Sequence, residues 1–296
     1  MIEKIYIPTF RRVDIQITYD NLPNEYKEKV IMVVQEQEKK DYNYDVEYLV
    51  VDDNIGIAKT RELICRHAGK TRFSMVDDDV VFYRRNQKYF KDCDFKSNMD
   101  KSKRISTKAD LDEMFEVFNQ WMDDGIIHIG HKRSNLPPGK TSYSDTVFFN
   151  AIHHVNGELL SEIIDEIDWT RCEVGEDANL MFEYLSRGYK NRRSDEFAAY
   201  WDSFQDGGVA VYRDSKLHNE EHIKLQDYWG KDVVVMRKEM IGQGSNGHNI
   251  GMIKEFSYRP KITRKLFLQQ YGAKNDPNVT QPKKQFQPEI DKRINQ

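Results

Sequence analysis

Cysteine is scarce in this chain of 296 residues. Cys65, Cys93 and Cys172 make an odd number, and no two stand in CxxC spacing. That pattern speaks against a disulfide scaffold or a zinc ribbon and makes a reducing cytoplasm the default compartment. Long apolar runs are also missing. No stretch approaches the ~18 residues a membrane helix requires, so no membrane span is expected. The segment Met1 to Ile7 enters a strand directly and leaves no room for a signal peptide. No internal repeat occurs. His218 and His222 stand four apart, a zinc-compatible spacing, but without an HExxH pattern; an exposed helical face is the expectation there. Gly242 to Gly247 is glycine-rich yet lacks a P-loop lysine, and reads as a mobile loop. Charge of one sign is not in large excess: the net is −4 and the pI about 6.1. This excludes a surface coated in positive charge and leaves room for local basic patches.

What is present is a polar, globular composition. Hydrophobic residues make 39 % and charged residues 32 %, in a length that fits one large or two small domains. Short apolar runs at Ile5–Ile7, Val30–Val34, Tyr48–Val51 and Phe73–Val76 read as strands. Between the last two, Gly56 opens a helix with Ala58, Leu63, Ile64, Cys65 and Ala68 on an apolar face and Gly69 as its stop. Strand and helix alternate, which indicates an α/β domain with mostly parallel strands and ligands beyond their carboxyl ends. Arg11, Asp52, Lys59, Arg61 and Asp77 to Asp79 are expected at that edge. Lys59 and Arg61, in the first helical turn, oppose the helix dipole unless an anion sits nearby.

The triplet Asp77-Asp78-Asp79 closes one apolar run and precedes another. Three adjacent carboxylates at the edge of a core disfavour each other's ionisation unless a cation neutralises them. A hard divalent metal with a phosphate on its far side is one reading, and an acidic turn between two strands is the other. On an extended chain Asp77 and Asp79 point the same way and can share a metal, while Asp78 faces elsewhere.

Further along, Tyr83 to Lys108 holds nine Lys/Arg against three Asp, with Tyr83, Tyr89 and Phe90 interleaved. It reads either as a nucleic-acid-facing loop or as a solvated insertion. Thr107 to Asp124 is an amphipathic helix with Thr107 and Asp110 as an acidic variant of the capping box. Ile126–Ile129 and Thr146–Phe149, the latter with an alternative start near Ser144, are expected strands, Gly130–Ser144 a loop with His131 at the surface, and Glu158–Ile167 a helix. Gly175 opens another helix, which places Glu176 and Asp177 at its N-terminus. There they act as N-caps or, joined with the triplet, as a catalytic base. Phe197–Tyr200 and Val233–Met236 are late strands around a helix at Lys216–Trp229. The segment from Lys254 onward is basic, with ten Lys/Arg against four acids, and reads as disordered after Gly272.

Four ordered pieces resemble a GT-A glycosyltransferase. They are Ile7-Pro8-Thr9, the helix opened by Gly56-Ile57-Ala58-Lys59-Thr60-Arg61, a DxD pair at Asp77 and Asp79, and Gly175-Glu176-Asp177. Asn21-Leu22-Pro23, Arg187-Gly188-Tyr189 and Gly207-Gly208 with Tyr212-Arg213 resemble more specifically the TET-associated glycosyltransferases of bacteriophages. The resemblance covers residues 4 to 240. It implies a GT-A, Rossmann-like α/β fold: a mixed, mainly parallel sheet flanked by helices, with a basic loop insertion. A nucleotide-sugar half (1–82) and an acceptor half (105–240) would precede a basic extension (241–296).

The resemblance also implies transfer of a sugar from a UDP-sugar to 5-hydroxymethylcytosine in phage DNA, arabinose and glucose being the sugars considered, in the host cytoplasm. Asp77 and Asp79 would hold Mn²⁺ or Mg²⁺, with Asp202 in the place of a third ligand. Thr9, Arg11, Gly56, Lys59 and Arg61 would line the nucleotide, with Asp78 near the sugar or ribose. Asp177, or alternatively Glu176, would take the acceptor's proton in an inverting transfer; a retaining transfer needs no such base. Basic segments would hold DNA phosphates around a flipped base. The alternatives are a GT-A transferase acting on protein or polysaccharide, and a catalytically silent DNA-binding module.

Overall fold

Val30-Ile31-Met32-Val33-Val34 has no polar alternation, and such a run is stable as a strand only when both faces of its sheet are covered. In the computed structural model, which describes residues 2–86, 100–139, 141–201, 208, 214–239 and 254–271, this condition is met. β1 (Lys4–Pro8), β2 (Val30–Gln35), β3 (Glu47–Val51) and β4 (Arg72–Val76) lie parallel in the order β3-β2-β1-β4. Val30, Met32 and Val34 enter the core on one face, Ile31 and Val33 the core on the other. α1 (Gly56–Ala68) crosses from β3 to β4 and seals the second face with Ile64, Cys65 and Ala68.

The sheet continues through β5 (Val81–Arg85), β6 (Lys103–Ile105), β7 (Ile126–Arg133), β8 (Tyr143–Asp145), β9 (Ile152–Asn156) and β10 (Lys190–Tyr200). The full order is β3-β2-β1-β4-β9-β7-β10-β5-β6, with β8 on β10. β9 runs antiparallel to both β4 and β7, and β10 runs parallel to β7. The fold is the expected one, a mixed sheet flanked by helices, wholly parallel in its first half. α2 (Lys108–Asp123) covers the first face through Leu111, Met114, Phe115 and Phe118. Its Thr107–Asp110 capping box is formed. Burial opposes ionisation of Asp110, but hydrogen bonds from Arg104 and Thr107 prevail and hold its pKa at about 2. α3 (Glu176–Ser186) is buried from Ala178 to its end, with Glu176 and Asp177 half-buried at its start. α4 (Ser215–Trp229), the antiparallel pair β11 (Val234–Glu239) and β12 (Lys254–Tyr258), and α5 (Pro260–Tyr271) share a third core with it around Phe182, Leu185 and Trp229.

Local differences from the sequence reading have identifiable causes. No strand forms at Thr146–Phe149; Thr146 turns the chain at φ +54°. The buried strand is β9, whose Ile152-His153-His154-Val155 run is disguised by two histidines. The expected helix at Glu158–Ile167 shortens to Gly157–Ser161 and a 3₁₀ turn at Ile164–Glu166. The supposed loop from Gly130 begins as β7, and His131 is buried, not on the surface. His222 is buried too, held by the His218 carbonyl and the Tyr258 hydroxyl, so this helical face is packed, not exposed. Several cations of the 83–108 segment are spent inside the fold. Arg84 pairs with Glu113 and Glu196, Arg104 with Asp110, and Arg85 is buried against the Arg133 and Leu136 carbonyls. Lys88, Lys91 and Lys96, the Gly242–Gly247 loop and the tail after Gly272 lie outside the described residues.

Candidate active site

Beyond the carboxyl ends of the parallel strands lies one cavity of about 700 Å³. One wall comes from the strand ends and the start of α1: Thr9, Gln35, Val51 and Gly56 line it. Gly56 sits at φ +78°, and a Cβ placed on it would meet nothing within 4 Å. Glycine is therefore needed there for its backbone angle, not for space. The opposite wall includes Phe148, Trp201, His218, His222 and Tyr258. The acidic residues stand between the two walls.

The Asp triplet is a turn, not a continuation of β4, and it is bolted down through its backbone. Thr18, itself buried, donates its hydroxyl to the Asp77 carbonyl and accepts the Val80 N–H. The Thr18 N–H reaches the Asp78 carbonyl at 2.9 Å and the Asp77 N–H reaches the Ala151 carbonyl at 3.0 Å. The turn divides the three side chains between two arginines, Arg12 and Arg61. Asp78 is buried, accepting from Thr9 Oγ1 at 2.7 Å and ion-paired with Arg12. Thr9 is held in turn by Gln16 Nε2 and Tyr42. Asp79 is 3.6 Å from Arg12. Asp77 faces the other way, 3.5 Å from Arg61, with its side chain 35 % exposed. Burial, then the neighbouring Asp77 and Asp78 charges, raise Asp79 to about 7. Burial raises Asp77 to about 6 against the pull of Arg61. Burial also raises Asp78, with Arg12 and Thr9 opposing it.

Arg61 is the second hub. It is buried and faces Asp77, Glu176 at 3.2 Å and, closest, Asp177. Glu176 and Asp177 start α3, where unpaired N–H groups favour negative charge. Gly175 precedes them at φ +92°, with His222 and Leu225 of α4 packed close to where a Cβ would stand. His153, on β9, brings Nε2 to 2.8 Å from Asp177 Oδ1.

Of the residues predicted from sequence, Thr9, Gly56, Arg61, Asp77, Asp78, Asp79, Glu176 and Asp177 line the cavity together. Arg11 does not; it is exposed at φ +56°, and its neighbour Arg12 takes the cavity position. Lys59 pairs with Glu62 at 2.7 Å on α1, and Asp52 is exposed; neither lines the cavity. Asp202 lies outside the described residues. Arg12, Thr18, Tyr42 and His153 were missed. Only Arg12 carried a signal, as the second member of an arginine pair after β1; the rest act through the fold.

The donor set suits a cation. Six carboxylates (Asp77, Asp78, Asp79, Glu173, Glu176, Asp177) and two arginines (Arg12, Arg61) line the cavity, a local balance of 2 − 6 = −4. Among the described residues no group of three His, Cys, Asp or Glu side chains is gathered to hold a metal by itself. In this turn Asp77 lies beside Arg61 and Asp79 beside Arg12, so the two are not aligned as an extended chain would set them; an acidic cavity of this charge still suits a cation held jointly with substrate phosphates, as magnesium sites commonly are.

A parallel half-sheet delivers an acidic turn to the same cavity as an acid-tipped helix, an arrangement consistent with a GT-A-like fold. The sequence model of the TET-Associated Glycosyltransferase family matches residues 3–208, well over half the chain. The protein belongs to that family. No curated protein matches it. Among the described residues no helix is long and apolar enough to cross a membrane.

Proposed function

We propose that this glycosyltransferase moves a sugar from a UDP-sugar to the hydroxymethyl group of 5-hydroxymethylcytosine in DNA. The observation that carries the reading is the shared cavity, in which donor-side strand ends, the Asp triplet and the α3 carboxylates meet. Thr9 and Gly56 line the nucleotide. Asp77 and Asp79 hold Mn²⁺ or Mg²⁺, which when bound would offset the charge of the leaving diphosphate. Asp202 remains the candidate third ligand. Asp78, clamped by Thr9 and Arg12, shapes the floor beneath the sugar and leaves Arg12 positioned beside the phosphates. Asp177 takes the acceptor hydroxyl's proton as its oxygen attacks the anomeric carbon, in an inverting transfer; Glu176 is its neighbour and alternative.

The acceptor wall favours a flat ring over a carbohydrate chain. Phe148, Trp201, His222 and Tyr258 line it, Phe148 and Tyr258 with ring centroids 4.6 Å apart. Aromatic walls of this kind hold a base extruded from its stack. The test is mass spectrometry of hydroxymethylcytosine DNA after incubation with the protein, Mn²⁺ and a panel of UDP-sugars including glucose and arabinose. A mass gain of one sugar residue is expected with one donor. No gain with any donor would sink the reading.

A further inference from the structure

Four histidines are buried where β7 and β9 adjoin, and hydrogen-bond logic orders them into two separate chains. His131 Nδ1 faces the Phe197 carbonyl at 2.8 Å. A carbonyl only accepts, so His131 Nδ1 carries the proton and Nε2 is bare. His154 Nε2–H therefore donates to His131 Nε2 at 2.7 Å, and His154 Nδ1 accepts the Ser74 hydroxyl at 2.7 Å. That chain begins and ends inside the fold.

The second chain does not. His153 Nε2 faces a carboxylate, Asp177 Oδ1, and so carries the proton. Its Nδ1 is bare and accepts from His128 Nε2–H at 2.7 Å. His128 Nδ1, left bare, has no partner among the described residues. All four rings are kept neutral by burial, His128 at about 3 and His131 at about 4, with Arg61 adding to the effect at His128 and His153. A neutral ring next to Arg61 places an N–H beside the carboxylate without adding a second positive charge.

The geometry at Asp177 gives this chain a use. Arg61 and His153 both approach Oδ1, and among the described residues no donor engages Oδ2. His153 Nε2 is at hydrogen-bond distance but off the N–H axis, since the carboxylate is drawn toward Arg61. We infer that His153, oriented by His128, is a positioning residue that fixes the rotation of the Asp177 carboxylate and so presents Oδ2 to the acceptor hydroxyl. This rests on the reading of Asp177 as the base. The proton leaves the hydroxyl oxygen for Oδ2 as that oxygen bonds to the sugar; His153 keeps its own proton throughout.

Gln and Asn at position 153 separate the two nitrogens, because a Gln amide can reach where Nε2 stands and an Asn amide only where Nδ1 stands. With the donor fixed by the assay above, H153N is expected to lower kcat by about 100-fold, the cost of a misplaced group, with donor KM little changed. H153Q should recover most of that loss. H154N, on the closed chain of the same strand, should lower the melting temperature comparably while leaving kcat within about threefold of wild type. Wild-type kcat in H153N would overturn the inference, as would a kcat loss in H154N as large as that in H153N, or H153Q no better than H153N. D177N measured alongside keeps the two ideas apart. An inactive D177N with a fully active H153N removes the positioning role alone, whereas an active D177N removes the base and the positioning role together.

Discussion

The two acidic groups of the cavity carry similar charge in different company. The triplet Asp77–Asp79 closes a strand with its charges under-compensated, and Asp77 and Asp79 are pushed up to about 6 and 7. The pair Glu176–Asp177 opens a helix, faces a buried arginine and is touched by a neutral histidine. Both groups meet a fixed arginine, Arg12 at the triplet and Arg61 at the pair, and Asp77 shares Arg61. Under the proposed function, these similar groups are prepared for different work by what surrounds them: one would receive a metal diphosphate, the other would hold a carboxylate in one orientation.

The largest effect that separates the two groups should come from Asp177→Asn. Loss of a general base lowers turnover by about 10²–10⁴-fold, and kcat should fall while donor KM and the response to Mn²⁺ stay near wild type. Asp79→Asn should do the reverse at the metal. Mn²⁺ should raise the melting temperature of the wild type and of D177N but not of D79N, and EDTA should remove the wild-type shift. If D177N rather than D79N lost its Mn²⁺ response, the division of roles drawn above would be wrong.

A smaller effect probes the support of the triplet alone. Thr18→Val leaves the Asp77 carbonyl and the Val80 N–H without their hydroxyl partner. Unsatisfied buried groups cost about 1–3 kcal/mol, which denaturant unfolding would read, and Mn²⁺ should bind less well because the turn is loosened. The smallest lies outside the cavity as a control. Asp110 has a folded pKa of about 2 against an ordinary 3.8. Its stabilisation is complete above the unfolded value and is lost as pH falls from about 4 to about 2. Arg104→Ala should flatten the acid limb of the melting curve in that window without altering turnover at neutral pH.

Much of the first half was legible because its signals are local. Val30–Val34 could only be a doubly covered strand, and Gly56, Gly69 and Gly175 each mark a helix boundary that the structure keeps. The second half was harder. β9 went unseen because His153-His154 breaks an apolar run, and a buried histidine looks polar until its partners on neighbouring strands are known. Thr146–Phe149 read as a strand on composition alone, although the chain turns there. Arg11 and Lys59 were reasonable phosphate candidates by position, yet one points away at φ +56° and the other is taken by Glu62.

From the sequence alone came the α/β class, the family resemblance and eight of the cavity's residues, because strand periodicity, helix starts and the clustering of carboxylates are short-range features. Tertiary structure alone decided which charge meets which. Arg12 reaches Asp78 across 66 residues, Tyr42 reaches Thr9, and Arg61 and His153 converge on one oxygen of Asp177 from different strands and helices. Spacing along a chain fixes which side chains share a face, but the identity of a buried group's partner is a property of the packed fold, and at this site that partner sets each carboxylate's role.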